Sequence, residues 1–128
     1  MIASGTLQAA TVIAKTTQTL IGAEISCAGY KFIALFIEYV KGDETGLNIY
    51  PYFMQSTGGT AFQDCSWSAS AGAKTATVNY YTLTASANRM ITFDVSGIEF
   101  VKFMQGGSNN DGTPTGTLAA SYCLKGGE

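Results

Sequence analysis

YKFIALFIEYVKGDETGLNIYPYFMQ, residues 30–55, contains two long β-type runs joined by a charged turn. Successive side chains of a strand point to opposite faces, so Phe32 and Phe36 lie on one side of the first run, whereas Ile33 and Leu35 lie on the other. Both sides are therefore apolar. The pattern predicts a strand that fills a core with one face and needs cover on the other, from a second layer of the domain or from a neighbouring subunit.

Short apolar or alternating runs continue along the chain between turns rich in Gly, Ser, Asn and Asp. They cover residues 11–14, 19–25, 30–40, 47–55, 61–68, 75–84, 89–95, 99–105 and 117–124. No segment shows sustained helical periodicity, and short strands at this spacing are typical of antiparallel sandwiches and barrels. We expect an all-β single domain, an antiparallel β-sandwich of jelly-roll type with eight or nine strands. Residues 21–128 form the sandwich in this interpretation, and residues 1–20 are either an N-terminal arm that orders on a neighbour or the first strand.

A proline lies inside the second run of the opening stretch. Because proline has no N–H to donate to a ladder, we expect this run to be an edge strand or to carry a bulge. A long edge strand invites pairing with another chain. The candidate interface therefore consists of Phe32, Phe36, Tyr50, Pro51 and Tyr52.

The composition restricts the partners. Seven residues are Lys or Arg and nine are Asp or Glu, so 12% of the 128 residues are charged and the net charge is -2. Soluble domains average about 25% charged residues, and the scattered cations form no basic stripe for nucleic acid. The longest apolar run, residues 32–37, is far shorter than the roughly 20 residues that cross a bilayer, and the start lacks the cationic region of a secretory signal. We expect a soluble protein made in a cytoplasm, with no nucleic-acid or membrane partner.

The residues that usually carry catalysis are scarce. The sequence contains no histidine, which removes Ser-His-Asp and Cys-His mechanisms and histidine metal sites. Asp43 and Glu44 lie in a KGDETG turn and are interpreted as solvated turn formers, not as the two carboxylates of a glycosidase. The oxygen donors of residues 109–111 do not match an EF-hand loop and are interpreted as a turn without metal. We predict no enzyme, no cofactor and no metal site.

Three cysteines, Cys27, Cys65 and Cys123, are an odd number at wide spacing. They form neither a complete disulfide framework nor a zinc site, and we interpret them as reduced, core-type thiols.

Aromatic residues of the middle segment allow two interpretations. Trp67, Tyr80 and Tyr81 could form a platform on which sugar rings stack. The preferred interpretation is that Trp67 and one tyrosine cap the core, with their polar atoms at its margin. The alternative function is therefore a carbohydrate-binding β-sandwich module, in adhesion or on a phage tail.

Three segments carry a resemblance to a known group of proteins. They are YKFIALFIEYVKGDETGLNIYPYFMQ, ITFDVSGIEFVKFMQGG and TPTGTLAASYCLKG, which together extend from Tyr30 to near Lys125. In this order they resemble small all-β virion proteins of tailed bacteriophages, the head decoration or auxiliary proteins and related tail β-sandwich modules. The resemblance consists of strand patterns and turns and transfers no site residue.

The resemblance implies a structural role in a virion, most naturally as a capsid decoration or auxiliary protein. The implied partners are other virion proteins, the major capsid protein first, and further copies of this chain. The implied location is a virion assembled in the host cytoplasm.

Overall fold

The computed structural model describes residues 2–107 and 112–127, and these form twelve strands and no helix. The strands are β1 (Ile2–Val12), β2 (Thr19–Leu20), β3 (Ile25–Ser26), β4 (Phe32–Val40), β5 (Leu47–Met54), β6 (Ala61–Gln63), β7 (Cys65–Ser70), β8 (Ala73–Val78), β9 (Tyr81–Leu83), β10 (Ala87–Asp94), β11 (Phe100–Gly107) and β12 (Thr117–Lys125). Within these ranges no helix is long and apolar enough to span a membrane. The turn predicted at residues 109–111 lies outside the described residues.

The strands form two larger antiparallel sheets. One sheet has the order β1-β12-β4-β10, and the other has the order β2-β11-β5-β6, with β9 also pairing with β5 and β3 with β11. The first half of the chain therefore pairs with the second half in reverse order, which is the jelly-roll arrangement of two facing sheets. The predicted all-β jelly-roll sandwich is confirmed. The structure has more than eight or nine strands because three of the predicted runs are each divided into two strands.

Strand β4 lies between β12 and β10 and supplies the centre of the core. Its residues Ile33, Leu35, Ile37 and Tyr39 share one face, as the alternation in the sequence predicts, and all are at most 1% exposed. Side chains of the facing sheet cover them. The other buried members of this core are Ile13, Ile21, Ile25, Cys27, Leu47, Ile49, Leu83, Phe93, Val95, Val101, Phe103, Leu118, Ala120 and Leu124.

The prediction that Pro51 marks an edge strand is wrong. Strand β5 is internal: β11 pairs along its whole length, with Phe103 opposite Pro51. The Phe103 carbonyl accepts a hydrogen bond from the Ile21 N–H at 2.8 Å, on the side away from β5. Phe103 and Pro51 are therefore a non-hydrogen-bonded pair, and the Pro51 nitrogen points away from β11. On that side of β5, the pairing with β9 ends at Ile49 and the pairing with β6 begins at Tyr52. The missing N–H of Pro51 therefore faces the gap between these two short strands.

The turn between β4 and β5 is built around a buried acid. Glu44 is only 5% exposed, so its interpretation as a solvated turn former is wrong. Its Oε2 accepts hydrogen bonds from the Tyr39 hydroxyl at 2.5 Å and the Gly42 N–H at 2.9 Å. Its Oε1 accepts from the Thr115 N–H at 3.2 Å and the Gly116 N–H at 2.8 Å. The carboxylate thus ties this turn to the segment that leads into β12.

Candidate assembly surface

The outward side of the sheet β1-β12-β4-β10 carries large apolar side chains that no other part of the described chain covers. Phe36 is 41% exposed, Phe32 47% and Met90 59%. We call this outward side the Phe36 face. It contains a groove of about 350 Å³ that is lined by Phe32, Ala34, Phe36, Met90, Thr92, Cys123 and Lys125.

The register of three strands shapes this groove. Along β4 the large Phe32 and Phe36 flank the small Ala34, which is paired with Thr92 of β10 and Cys123 of β12. Pairs that are directly opposite in neighbouring strands share a face of the sheet. A row of small residues therefore forms the floor, and large side chains form the walls.

A second, more polar depression of about 480 Å³ lies on the other side of Phe36, between β1, β12 and β4. Its lining includes Glu38, Thr6 and Gln8. Gln8 donates from its Nε2 to the Leu118 carbonyl at 2.8 Å, across the β1–β12 pair. Phe36 is shared by both depressions, so it stands at the middle of the face.

Tyr50 and Tyr52 lie on the opposite outer side of the sandwich, on β5. The Tyr52 hydroxyl donates to Gln18 Oε1 at 2.6 Å and accepts from Gln63 Nε2 at 3.1 Å. The Lys102 ammonium lies 5.8 Å from the centre of the Tyr52 ring. The five candidate interface residues therefore do not form one surface. Phe32 and Phe36 lie on the Phe36 face, and Pro51 is buried. Tyr50 and Tyr52 lie on the polar and aromatic outer side of β5, which we call the Tyr52 face.

The rings proposed as a glycan platform also separate. Trp67 is 65% exposed, so the preferred interpretation that it caps the core is wrong. The Tyr80 ring lies 5.5 Å from that of Tyr50. Tyr81 points inward, with its ring 5.8 Å from Phe93 in an edge-to-face contact. In the described ranges none of the three rings stacks on another of the three.

Perturbed acids and thiols serve structure here. Burial raises the pKa of Glu44, but the hydrogen bonds from Tyr39 and from the backbone of Gly42 and Gly116 outweigh it and hold the pKa at about 2. Burial, and then the hydrogen bond to Glu44, raise the pKa of the Tyr39 phenol. Burial also raises the pKa of the Cys27 thiol to about 11, so this thiol is not a nucleophile at neutral pH.

The three cysteines are free, and Cys27 alone among them is buried, whereas Cys65 and Cys123 are half-buried. The core-type interpretation therefore holds for Cys27 only. Among residues 2–107 and 112–127 no group of three or more Cys, Asp or Glu side chains could hold a metal ion.

Sequence reasoning overlooked Met90. Alternation along β10 places Phe93 and Val95 inward, and the same alternation places Met90 outward. The signal was therefore present, but the pairing of Met90 with Phe36 joins distant parts of the chain and cannot be read from local pattern.

No protein-family model and no curated protein sequence matches this chain. Solved structures share its fold. The SPBc2 prophage-derived protein YomS superposes with a TM-score of 0.56 at 14% identity, over 97% of this chain and 92% of that one. A chain in the Bacillus endospore appendages, a novel family of disulfide-linked pili, gives 0.53 at 11% identity, over 99% of this chain and 89% of its own length.

A chain in the structure of the infectious bursal disease virus Gx strain superposes with a TM-score of 0.54 at 13% identity. The match covers 97% of this chain but only 31% of the viral chain. At identities this low, the three likenesses establish the jelly-roll fold.

Proposed function

We propose that this protein is a non-enzymatic structural subunit of a phage particle, bound to the outside of the head as a decoration or auxiliary protein and assembled in the host cytoplasm. The observation that carries the proposal is the Phe36 face, where Phe32, Phe36 and Met90 are exposed together. Contiguous exposed apolar patches are uncommon on monomers and mark sites of association. With 12% charged residues, the surface does little to keep subunits apart.

The fold favours the same role. Jelly rolls with this architecture occur in a prophage-derived protein, in a virus and in spore-appendage pili. A fold used in repetitive assemblies, together with an uncovered apolar face, supports a subunit that acts by binding its neighbours.

The two outer faces suit different partners. Interfaces between copies of one chain are more apolar than the average interface, so we assign the Phe36 face to contact between subunits of this protein. Tyrosines surrounded by polar groups are typical of interfaces between different proteins. We therefore assign the Tyr52 face, with Tyr50, Tyr52 and Lys102, to other virion proteins, the major capsid protein first.

Repetition makes such contacts effective. Each buried apolar Å² contributes roughly 25 cal/mol before the costs of association are subtracted, so one contact of modest area is weak. Many copies on a closed shell add their contacts together, and the shell then resists heat and osmotic shock.

Electron microscopy of particles tests the proposal. Particles that lack this chain should lose surface density and should be disrupted at lower temperature than complete particles. Particles made with Phe36→Asp should resemble the deletion, because the substitution places a charge at the centre of the Phe36 face. Thr57→Asp, which adds the same charge in an exposed turn after β5, is the control. Unchanged particles without the chain, or turnover of a substrate by the purified protein, would contradict the proposal.

The carbohydrate-binding alternative has one supporting observation, the exposure of Trp67. It is the weaker candidate because Tyr81 packs against Phe93 and Tyr80 against Tyr50, so Trp67, Tyr80 and Tyr81 do not form a three-ring platform. A glycan array with purified protein decides between them: binding that Trp67→Ser abolishes and Phe36→Asp leaves intact would favour the alternative.

A further inference from the structure

The hairpin of β7 and β8 is set apart from the sandwich. Its two strands pair only with each other in a separate two-stranded sheet, and every residue of β8 is exposed. At its base the Asn79 N–H donates to the Asp64 carbonyl at 2.8 Å, and Asn79 Nδ2 donates to Asp64 Oδ2 at 3.0 Å. This hairpin is thus held at its base but is not covered by the sandwich. Two-stranded hairpins are only marginally stable in water without such cover.

The two faces of the hairpin differ in chemistry. Opposite residues share a face, and one face, which we call the Trp67 face, is apolar apart from Lys74. It consists of Cys65, Trp67, Ala69, Lys74, Ala76 and Val78. The other face carries the hydroxyls of Ser66, Ser68, Thr75 and Thr77. Trp67 is thus one large side chain standing among small ones.

We infer that the hairpin of one copy docks on the Phe36 face of a second copy, with Trp67 inserted in the groove over Ala34. This inference rests on the proposed function, because it names the occupant of the Phe36 face. The shapes complement each other: a single ring surrounded by small residues meets a groove of about 350 Å³ with a floor of small residues and walls at Phe32 and Phe36. A tryptophan can bury roughly 150–250 Å² in such a groove.

Charge favours the same occupant. Lys74 is the one charged residue of the Trp67 face. It lies on β8 two residues, roughly 6.6 Å, from Ala76, which is the residue paired with Trp67. On the Phe36 face, Glu38 lies next to Phe36, at one end of the groove. At the other end Phe32 is flanked by both an acid and a base, Asp94 of β10 and Lys125 of β12. Lys74 therefore meets the Glu38 carboxylate when the hairpin lies with Lys74 toward Phe36, whereas the reverse orientation brings it to Lys125 as well as Asp94. The charges favour the first orientation.

The contact joins unlike surfaces, so each copy offers one hairpin and one groove. Such head-to-tail contacts form rings when the rotation closes and open chains when it does not. A hairpin of six residues per strand is about 20 Å long, so the contact is small and one such pair is weak. Repetition around a ring or on a shell makes it effective.

The emission of Trp67 provides the test, since the chain has a single tryptophan. Raising the concentration of the wild-type protein should shift the emission to shorter wavelength as Trp67 enters the groove. Ala69→Asp, on the Trp67 face, should raise the concentration for half the shift by at least tenfold. Ser68→Asp, the neighbouring residue on the hydroxyl face, is the matched control and should leave it unchanged.

Two groove variants sharpen the test. Ala34→Phe fills the groove and should therefore abolish the shift. The same substitution makes the Phe36 face more apolar, so tighter binding would instead indicate an apolar surface that needs no groove. Phe36→Asp should emit as an exposed tryptophan at every concentration. Adding the Trp67→Ser variant, which has no tryptophan but an intact groove, should restore the shift and give a 1:1 complex in sedimentation. Far-UV circular dichroism checks the fold of each variant.

The outcomes separate this inference from the proposed function. No concentration-dependent shift in the wild type, or equal effects of Ala69→Asp and Ser68→Asp, would overturn the docking of the hairpin. If particles still tolerate the hairpin variants but not Phe36→Asp, the Phe36 face keeps its assembly role with another occupant. A shift produced by a glycan in wild type and Phe36→Asp alike would assign Trp67 to carbohydrate instead.

Discussion

The two faces of β4 carry similar apolar side chains, but the sandwich covers only one of them. Leu35 and Ile37 on the inner face are at most 1% exposed, whereas Phe32 and Phe36 on the outer face are 47% and 41% exposed. Burial on the inner face stabilises the folded chain. The part of the outer face that is still exposed can lower the free energy further only when a second molecule covers it. One strand thus serves folding on one side and, in our proposal, association on the other.

The largest effect on folding is expected from the inner face. Leu35→Ala should lower the free energy of unfolding by about 2–5 kcal/mol, because truncation of a fully buried leucine loses burial and leaves a cavity. Urea titration followed by circular dichroism measures this loss. If Leu35→Ala were no more destabilising than a truncation of Phe36, the contrast between the two faces would have no energetic basis.

A smaller effect is expected where the inner face ends in a hydrogen bond, at Tyr39 and Glu44. Glu44→Gln should lower the free energy of unfolding by about 1–3 kcal/mol, because hydrogen bonds to a charged group are lost or weakened. Asp43→Asn, an exposed neighbour in the same turn, should change it by under about 0.5 kcal/mol.

The same acid gives the protein a pH dependence with a definite sign. The pKa of Glu44 is lowered from 4.5 to about 2 in the folded state, so its contribution is complete above pH 4.5 and is lost as the pH falls toward 2. The difference in unfolding free energy between wild type and Glu44→Gln should shrink across this window. A difference that stayed constant from pH 6 to pH 2 would show that the charge of Glu44 does not stabilise the turn.

The smallest effect on folding is expected from the outer face. Phe36→Ser should lower the free energy of unfolding by about 1 kcal/mol, less than Leu35→Ala, since Phe36 is 41% exposed in a single copy and loses less burial than the fully buried Leu35. The same variant should weaken self-association measured by sedimentation at high concentration. Loss of folding comparable to Leu35→Ala would place Phe36 in the core and would remove the assembly surface.

Local alternation was enough to predict which residues of β4 share a face, because each residue of a strand has a fixed side. Since both faces are apolar, alternation alone did not tell which of them is buried. The jelly-roll class also followed from short runs and turn residues. What alternation could not decide is what covers the outer face, because cover from a second layer and cover from a neighbour require the same apolar residues.

Pro51 shows where a local rule fails. The rule concerns the side to which the missing N–H points, and that side depends on the register with β11 and on where β6 and β9 end. None of these is visible in the sequence around Pro51. A central strand accepts a proline when its other neighbour is interrupted at that residue.

Glu44 was misinterpreted for a similar reason. Its turn has the composition of a solvated loop, yet two of its hydrogen-bond donors, the N–H groups of Thr115 and Gly116, lie more than 70 residues away in sequence. A side chain added at Gly116 would collide with Glu44 Oε2, so the glycine makes room for the carboxylate. The partner of a buried acid is therefore set by the fold and not by its neighbours in sequence.

The pairing of Ile2 with Lys125 places both ends of the described chain side by side at one edge of the sandwich. A circular permutant could therefore join these ends through a short linker and open the chain at Gly72, in the exposed turn of the hairpin. Strands β7 and β8 would become the two terminal segments, free to separate, while every pairing of the jelly roll would be kept. Such a permutant would fold without an intact hairpin and would separate the fold of this protein from its proposed assembly in a single molecule.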